Sequence, residues 1–151
     1  MSLCLEPIGQ VRCPLPRLRD GPWGDVVSEL HFTVAVTRGL KGIEQFSHLL
    51  VLFFMHQVSD LPARDLVRRP GGRQDMPRIG IFAQRASSRP NALGVSVVPL
   101  ISHKRHVLYV RGLDAFDGSP ILDVKPYVAD FDKARRAAEP EWMRRLMRGY
   151  F

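Results

Sequence analysis

Short strand-like segments follow one another along this chain with almost no helical periodicity between them. At Glu29–Val36 the apolar side chains Leu30, Phe32, Val34 and Val36 alternate with Glu29, His31, Thr33 and Ala35, the period-two signature of a strand with one buried face. Leu49–Met55 is apolar throughout and short, which suits a strand buried on both faces. Further strands are expected at 79–83, 94–101, 107–112 and 121–124, the last after the turn signal Asp117-Gly118. Gly39-Leu40-Lys41-Gly42 marks a turn, and Ile43–Phe46 fits one helical turn. Consecutive strands with few helices argue for a mainly β fold, a barrel or a sandwich, and nothing supports a doubly wound sheet. The one longer helix expected is basic and spans Lys133–Arg148, with Ala134, Ala137 and Ala138 before Pro140 and Trp142, Met143 and Leu146 after it. Residues 59–78, rich in Pro, Gly and Arg, read as a long, mobile, basic loop.

A length of 151 residues corresponds to a single domain spanning the whole chain. The apolar fraction of 45% argues against disorder. The net charge of +7 and a sequence pI near 10.1 favour an acidic partner, nucleic acid being the commonest. Leu49–Met55 is the longest apolar run and falls far short of the roughly 20 residues that cross a bilayer, so no membrane association is expected. The N-terminus lacks a basic region followed by an apolar run, so no signal peptide is expected either. Cys4 and Cys13 are the only cysteines, and a reduced, cytoplasmic protein is the expectation.

Three segments combine polar chemistry with turn signals. In Gln84–Gly94 two arginines stand four residues apart beside Ser87, Ser88, Asn91 and Gly94. Pro90 fixes its own φ and biases Arg89 toward extended geometry, so this is an ordered loop and not a helix. Guanidinium groups bind planar anions bidentately, and the Asn91 amide both donates and accepts. The loop suits a carboxylate, a phosphate or an adenine edge; a solvated basic loop closed by a turn is an equal reading. Gly112–Pro120 carries Asp114 and Asp117, whose simplest use is to bond the backbone of a tight hairpin. In Asp123-Val124-Lys125-Pro126-Tyr127 the first and third residues share a strand face, where an ion pair is the simplest outcome. His48 and His56 flank the apolar strand, and His56-Gln57 ends it. No Cys pair or carboxylate stands at ligand spacing beside the two histidines, which argues against zinc, and no metal is expected. Neither a glycine-rich dinucleotide loop nor a Ser-His-Asp or Cys-His signature occurs.

Together these segments resemble the YaeB/TsaA-like family, associated with tRNA methyltransferases of the TrmO type. The matching stretches are Gly39–His48, Phe54–Gln57, Gly80–Gly94, Gly112–Pro120 and Ile121–Tyr127, in that order, within a likeness that runs over about 7–130 and leaves 131–151 as a C-terminal helical tail. The resemblance implies a small β-barrel that binds S-adenosyl-L-methionine, works as a homodimer with the cofactor near the subunit interface, and acts on tRNA. The implied reaction is methylation of N6 of a threonylcarbamoyl-adenosine beside the anticodon. Carried over by motif, His56, Gln57, Arg85, Leu93, Gly112, Leu113 and Asp114 would contact the cofactor, with Arg89 and Asn91 in the same pocket. Asp114, Asp123, Lys125 and Tyr127 would form the catalytic set. The family's RPNP reads Arg89-Pro90-Asn91-Ala92 here, the loop Cys13–Gly24 is short, and the extra C-terminal domain of longer bacterial members is not expected. Two other functions fit the residues: a non-catalytic RNA-binding barrel, for which Phe32, Phe82 and Tyr109 offer few stacking aromatics, and a methyltransferase acting on a small molecule or another RNA.

Overall fold

Alternation along the strands decides which side chains fill the interior, and the hydrogen-bond ladders decide the rest. In a computed structural model of the chain, which describes residues 3–15, 22–57 and 65–151, the strands are β1 (Gly9–Arg12), β2 (Val27–Phe32), β3 (His48–Phe54), β4 (Val67–Arg68), β5 (Ile79–Gly80), β6 (Leu93–Lys104), β7 (Val107–Arg111) and β8 (Pro120–Pro126). Two short helices follow, α1 (Ala129–Asp132) and α2 (Glu141–Leu146). Six strands close an antiparallel barrel in the order β1-β2-β7-β6-β3-β8, while β4 and β5 form a separate two-stranded sheet. The sequence left barrel and sandwich open; the pairing of β1 with β8 makes it a barrel.

The interior is built from alternate residues. Val11, Leu30, Leu49, Val51, Val98, Leu108, Val110 and Ile121 are fully buried, with Phe32 and Phe53 nearly so. Each such side chain stabilises the barrel by roughly 1.5–3 kcal/mol relative to exposure. β6 serves two neighbours: Leu93–Pro99 pair with β3, and Leu100–Lys104 pair with β7 across a register shift between Leu100 and Ser102. Such irregularities let a long strand bend around a small barrel. The glycine at position 94 is imposed by packing, because a Cβ there would stand 2.3 Å from the ring of Phe53.

Several sequence expectations are corrected. The apolar run at 49–55 buries one face only: Leu49, Val51 and Phe53 point inward, while Leu50, Leu52 and Phe54 lie on the outer wall. β2 stops at Phe32, because the neighbouring β1 begins at Gly9 and β7 at Val107, and past Phe32 only the Thr33 amide still bonds across, to the Ile8 carbonyl at 3.0 Å. Val34 and Val36 belong instead to a 3-10 helix, Val34–Leu40, with Val34 87% exposed. Of 79–83 only Ile79–Gly80 is strand; a 3-10 turn over Ile81–Ala83 buries Ile81 and leaves Phe82 exposed. The basic helix expected over Lys133–Arg148 is helical only at Glu141–Leu146, since Arg136 takes a left-handed φ of 56° and Pro140 caps the helix. The strands expected at 94–101, 107–112 and 121–124 are present as β6, β7 and β8.

The basic loop carries regular structure over its described part. Its β4 pairs with β5 just beyond it, Pro70 and Met76 are buried, and Arg69 donates to the Met76 carbonyl. Arg64 and the rest of 59–64 lie outside the described residues. Cys4 and Cys13 are both free, the first exposed and the second buried. Among the described residues no helix is long and apolar enough to cross a membrane.

Substituting Gly94→Ala should cost about 1–3 kcal/mol, as overpacking does, and lower the thermal midpoint by roughly 2–4 °C per kcal/mol. Adding Phe53→Leu should recover part of the loss in the same melting experiment, because it removes the ring that the new methyl meets.

Candidate functional site

Antiparallel pairing gathers particular strand ends. β3 ends at Phe54 opposite the start of β6 at Leu93, β7 ends at Arg111 opposite the start of β2 at Val27, and β8 starts at Pro120 opposite Gln10, with Gly118 and Ser119 bonded to Val11 toward the end of β1. The segments 55–57, 85–92, 112–119 and 22–26 therefore meet at one end of the barrel.

Within that end the motif residues touch. The Ser119 hydroxyl is 3.4 Å from Nδ1 of His56, and Gln10 donates to the Gly118 carbonyl at 3.2 Å. Asp117 accepts from the Cys13 amide at 3.0 Å, which ties the turn to β1 rather than to its own backbone. Gly112 sits at φ 76°, and its amide donates to the Val26 carbonyl at 2.8 Å. Leu113 is fully buried, backbone included, and Ala115 nearly so, while Asp114 between them is half-buried. Both carboxylate oxygens of Asp114 are held, Oδ1 by the Ser96 hydroxyl and Oδ2 by the Tyr150 hydroxyl at 3.0 Å.

The arginine loop is organised around Gln84, which is only 5% exposed. Its Nε2 donates to the carbonyls of Arg68 and Ile79, each at 2.8 Å, and its own carbonyl accepts from Arg89 at 3.3 Å. Arg68 bonds the Ser88 carbonyl and Arg85 the Val95 carbonyl. A carbonyl satisfies one N–H of a guanidinium but does not cancel its charge, and each guanidinium has five N–H groups. The loop is braced through backbone carbonyls and keeps cations with donors to spare. Arg73 differs, because it pairs with Asp75 at 2.7 Å. Its hydrogen bond holds the Asp75 carboxyl below the usual range and raises the guanidinium in turn, so this pair is neutral as a unit at pH 7. Asn91 and Leu93 bracket the return into the barrel, where the Met55 amide donates to the Ala92 carbonyl at 2.8 Å. Ala92 therefore holds its place without the family's second proline.

Asp123, Lys125 and Tyr127 are not brought to this end. Asp123 and Lys125 lie on the outer wall opposite Leu52 and Leu50 and form the expected ion pair at 2.7 Å. Tyr127 is at the far end, where its ring stands 6.3 Å from that of His48 and its amide donates to the His48 carbonyl. His48 and His56 accordingly occupy opposite ends of β3. Among the described residues no group of three His, Cys, Asp or Glu side chains could hold a metal ion. Sequence reasoning passed over Ser96, Gln84 and Tyr150. A polar residue at an inward position of a strand was a usable signal for Ser96; nothing local marks Tyr150.

Residues 18–133 match the model of a family described as the tRNA-methyltransferase O N-terminal domain. An S-adenosyl-L-methionine-binding protein of Archaeoglobus fulgidus is 38% identical over 136 residues, which cover 86% of this chain and 93% of that protein. The tRNA (adenine(37)-N6)-methyltransferase of Homo sapiens is 37% identical over 101 residues, covering 67% of this chain and 22% of the human protein. The crystal structure of TrmO from Pseudomonas aeruginosa superimposes with a TM-score of 0.74 at 31% identity, covering 91% of this chain and 62% of that one.

Gln84→Ala would leave the Arg68 and Ile79 carbonyls without their donor, a loss of about 1–3 kcal/mol. Denaturant melts should show that loss, and limited trypsin digestion should cut the arginine loop faster than in the parent chain.

Proposed function

The chain belongs to the family of tRNA-methyltransferase O N-terminal domains, and from that membership we propose that it binds S-adenosyl-L-methionine and methylates N6 of threonylcarbamoyl-adenosine beside the tRNA anticodon. The observation that carries this reading is the convergence of the arginine loop, His56 and the Gly112–Asp114 segment on one end of the barrel. The donor set fits the cofactor's chemistry. Its carboxylate calls for guanidinium groups, here Arg85 and Arg89. Its hydroxyl and ammonium donors call for a carboxylate, here Asp114. Its adenine calls for groups that both donate and accept, such as the amides of Gln57 and Asn91.

When bound, the cofactor supplies an electrophilic methyl on a sulfonium. The chain's own work is to bind, orient and manage a proton. Orientation of the acceptor nitrogen in line with the methyl–sulfur bond carries much of the acceleration, and a braced loop suits that task. An exocyclic adenine nitrogen is a poor nucleophile, so a group accepting its proton late in the reaction helps. Of the acidic candidates, Asp123 is engaged by Lys125 and the Val124 amide, and Asp117 by the Cys13 amide. Asp114 sits beside the arginine loop, because Ser96 holds its carboxylate while the adjacent Val95 carbonyl holds Arg85.

The working form in this reading is a homodimer. The outer wall of β3 and β6 carries the pairs Leu50–Val97, Leu52–Val95 and Phe54–Leu93. Phe54, Leu93 and Val95 are each above 40% exposed and Val97 is 50% exposed, more apolar surface than isolated exposed residues explain. Association through this wall would place Asp123 and Lys125 at the subunit boundary. A tRNA substrate and free cysteines fit a cytoplasmic setting.

Mass spectrometry of tRNA from a deletion strain should show loss of one N6-methylated threonylcarbamoyl-adenosine; an unchanged nucleoside profile overturns the substrate. Calorimetry should detect S-adenosylmethionine binding, weakened by about 1.5–3 kcal/mol in Arg85→Ala when a hydrogen bond to a charged group is lost. Reversing the exposed Arg135 and Arg136 to Glu should weaken tRNA binding and flatten its dependence on salt, since fewer counterions are released. Light scattering should give twice the chain mass, falling to the monomer mass in Val97→Glu.

A further inference from the structure

Tyr150 and Phe151 fold back onto the end of the barrel that carries the motif residues. The Trp23 amide donates to the Tyr150 carbonyl at 2.7 Å. Gly24 lies so close to the last residue that a Cβ there would stand 2.8 Å from the Phe151 carbonyl carbon. The Tyr150 ring packs against the core cluster and meets Phe151 edge-on, with centroids 4.9 Å apart. This clasp delivers the Tyr150 hydroxyl to Oδ2 of Asp114 at 3.0 Å, while the Ser96 hydroxyl, from β6, holds Oδ1.

We propose that Tyr150 is a positioning residue of the cofactor site: with Ser96 it orients the Asp114 carboxylate toward a hydroxyl or ammonium donor of the ligand. The inference rests on the S-adenosylmethionine reading above. Leu113 and Ala115 are buried and fix the backbone on either side of Asp114, so the freedom that remains is rotation of the side chain. The terminal torsion of an aspartate is broad and two-fold. A single donor would leave the second oxygen free to swing; donors on both oxygens, from opposite elements, remove that freedom. A carboxylate offers about four lone-pair sites, so two stay available to a ligand. The orientation is thus present before binding, which lowers the ordering cost of association. The same contact joins the segment after α2 to the site, although 36 residues separate Tyr150 from Asp114.

The test is a calorimetric cycle on the full chain with S-adenosylmethionine as the probe, comparing the parent, Tyr150→Phe, Asp114→Asn and the double variant. Phenylalanine keeps the ring and its packing, so the thermal midpoint should stay close to the parent's. Tyr150→Phe should weaken binding about 10–150-fold, the range that corresponds to one hydrogen bond to a charged group. In the Asp114→Asn background the same change should have no further effect, a coupling that a merely structural role would not produce. Should Tyr150→Phe unfold the chain, Ser96→Ala reads the other oxygen: the proposal requires a similar loss, again absent in Asp114→Asn. Parent-like binding by Tyr150→Phe, or an equal loss in both backgrounds, overturns the proposal while leaving the cofactor reading intact. A parent chain that binds no S-adenosylmethionine overturns the cofactor reading and this one with it.

Discussion

The barrel closes on a short seam. β1 and β8 share only Gly9↔Ile121 and Gln10↔Pro120 in register, and a few bonds reinforce them: Ile8 N to Ile121 O at 2.8 Å, Val11 N to Ser119 O at 2.9 Å and Gly118 N to Val11 O at 2.9 Å. Full closure removes the exposed edges that would otherwise invite pairing with other chains. On its other side β1 lies close against β2: a Cβ at Gly9 would come within 2.4 Å of the His31 carbonyl oxygen, so glycine is required there by space alone. The same seam anchors the turn Asp117-Gly118-Ser119, against which His56 rests. Closing the barrel and assembling one side of the candidate site are one physical event.

Opposite that turn stands a rim of cationic charge whose hydrogen bonds and charges are satisfied differently. Arg89 donates to a carbonyl of its own loop, Arg85 to the Val95 carbonyl of β6, and Arg68 reaches from β4 to the Ser88 carbonyl. Their geometry is thereby set while their charge persists. Arg73, by contrast, is matched by Asp75. A loop braced by its own arginines pays little ordering cost when an anionic ligand arrives, which is the condition for positioning a cofactor carboxylate or a nucleic-acid phosphate. Asp114, on the same barrel end, is held by hydroxyls rather than by a cation. Opposite charges on one barrel end, each fixed by neutral partners, suit a zwitterionic ligand.

Strand identity was legible where the run pairs with at least one neighbouring strand along its length, register shifts aside. β6, β7 and β8 follow their apolar patterns closely. The pattern at 29–36 misled at its end, because alternation reports a residue's taste for a buried face and not whether a partner strand reaches that far. The run at 49–55 misled about faces for the opposite reason: an outer wall left half-covered can be as apolar as an interior. The C-terminal helix shrank to Glu141–Leu146 because composition favouring a helix does not outweigh Pro140 and a left-handed Arg136.

For the site, the sequence by itself determined the chemical inventory and the family. The arginines, His56 and the Gly112–Asp114 turn were all recognisable as local motifs, because residue type and near spacing are local properties. Only the tertiary structure decided which of them meet. It gathered His56, the arginine loop and Asp114 at one end, and kept Asp123, Lys125 and Tyr127 on the outer wall and far end. It also added Ser96 and Tyr150, the two hydroxyls that hold Asp114. Strand order and register settle such meetings, and these depend on ladder pairings between residues far apart in the chain, which no local pattern encodes.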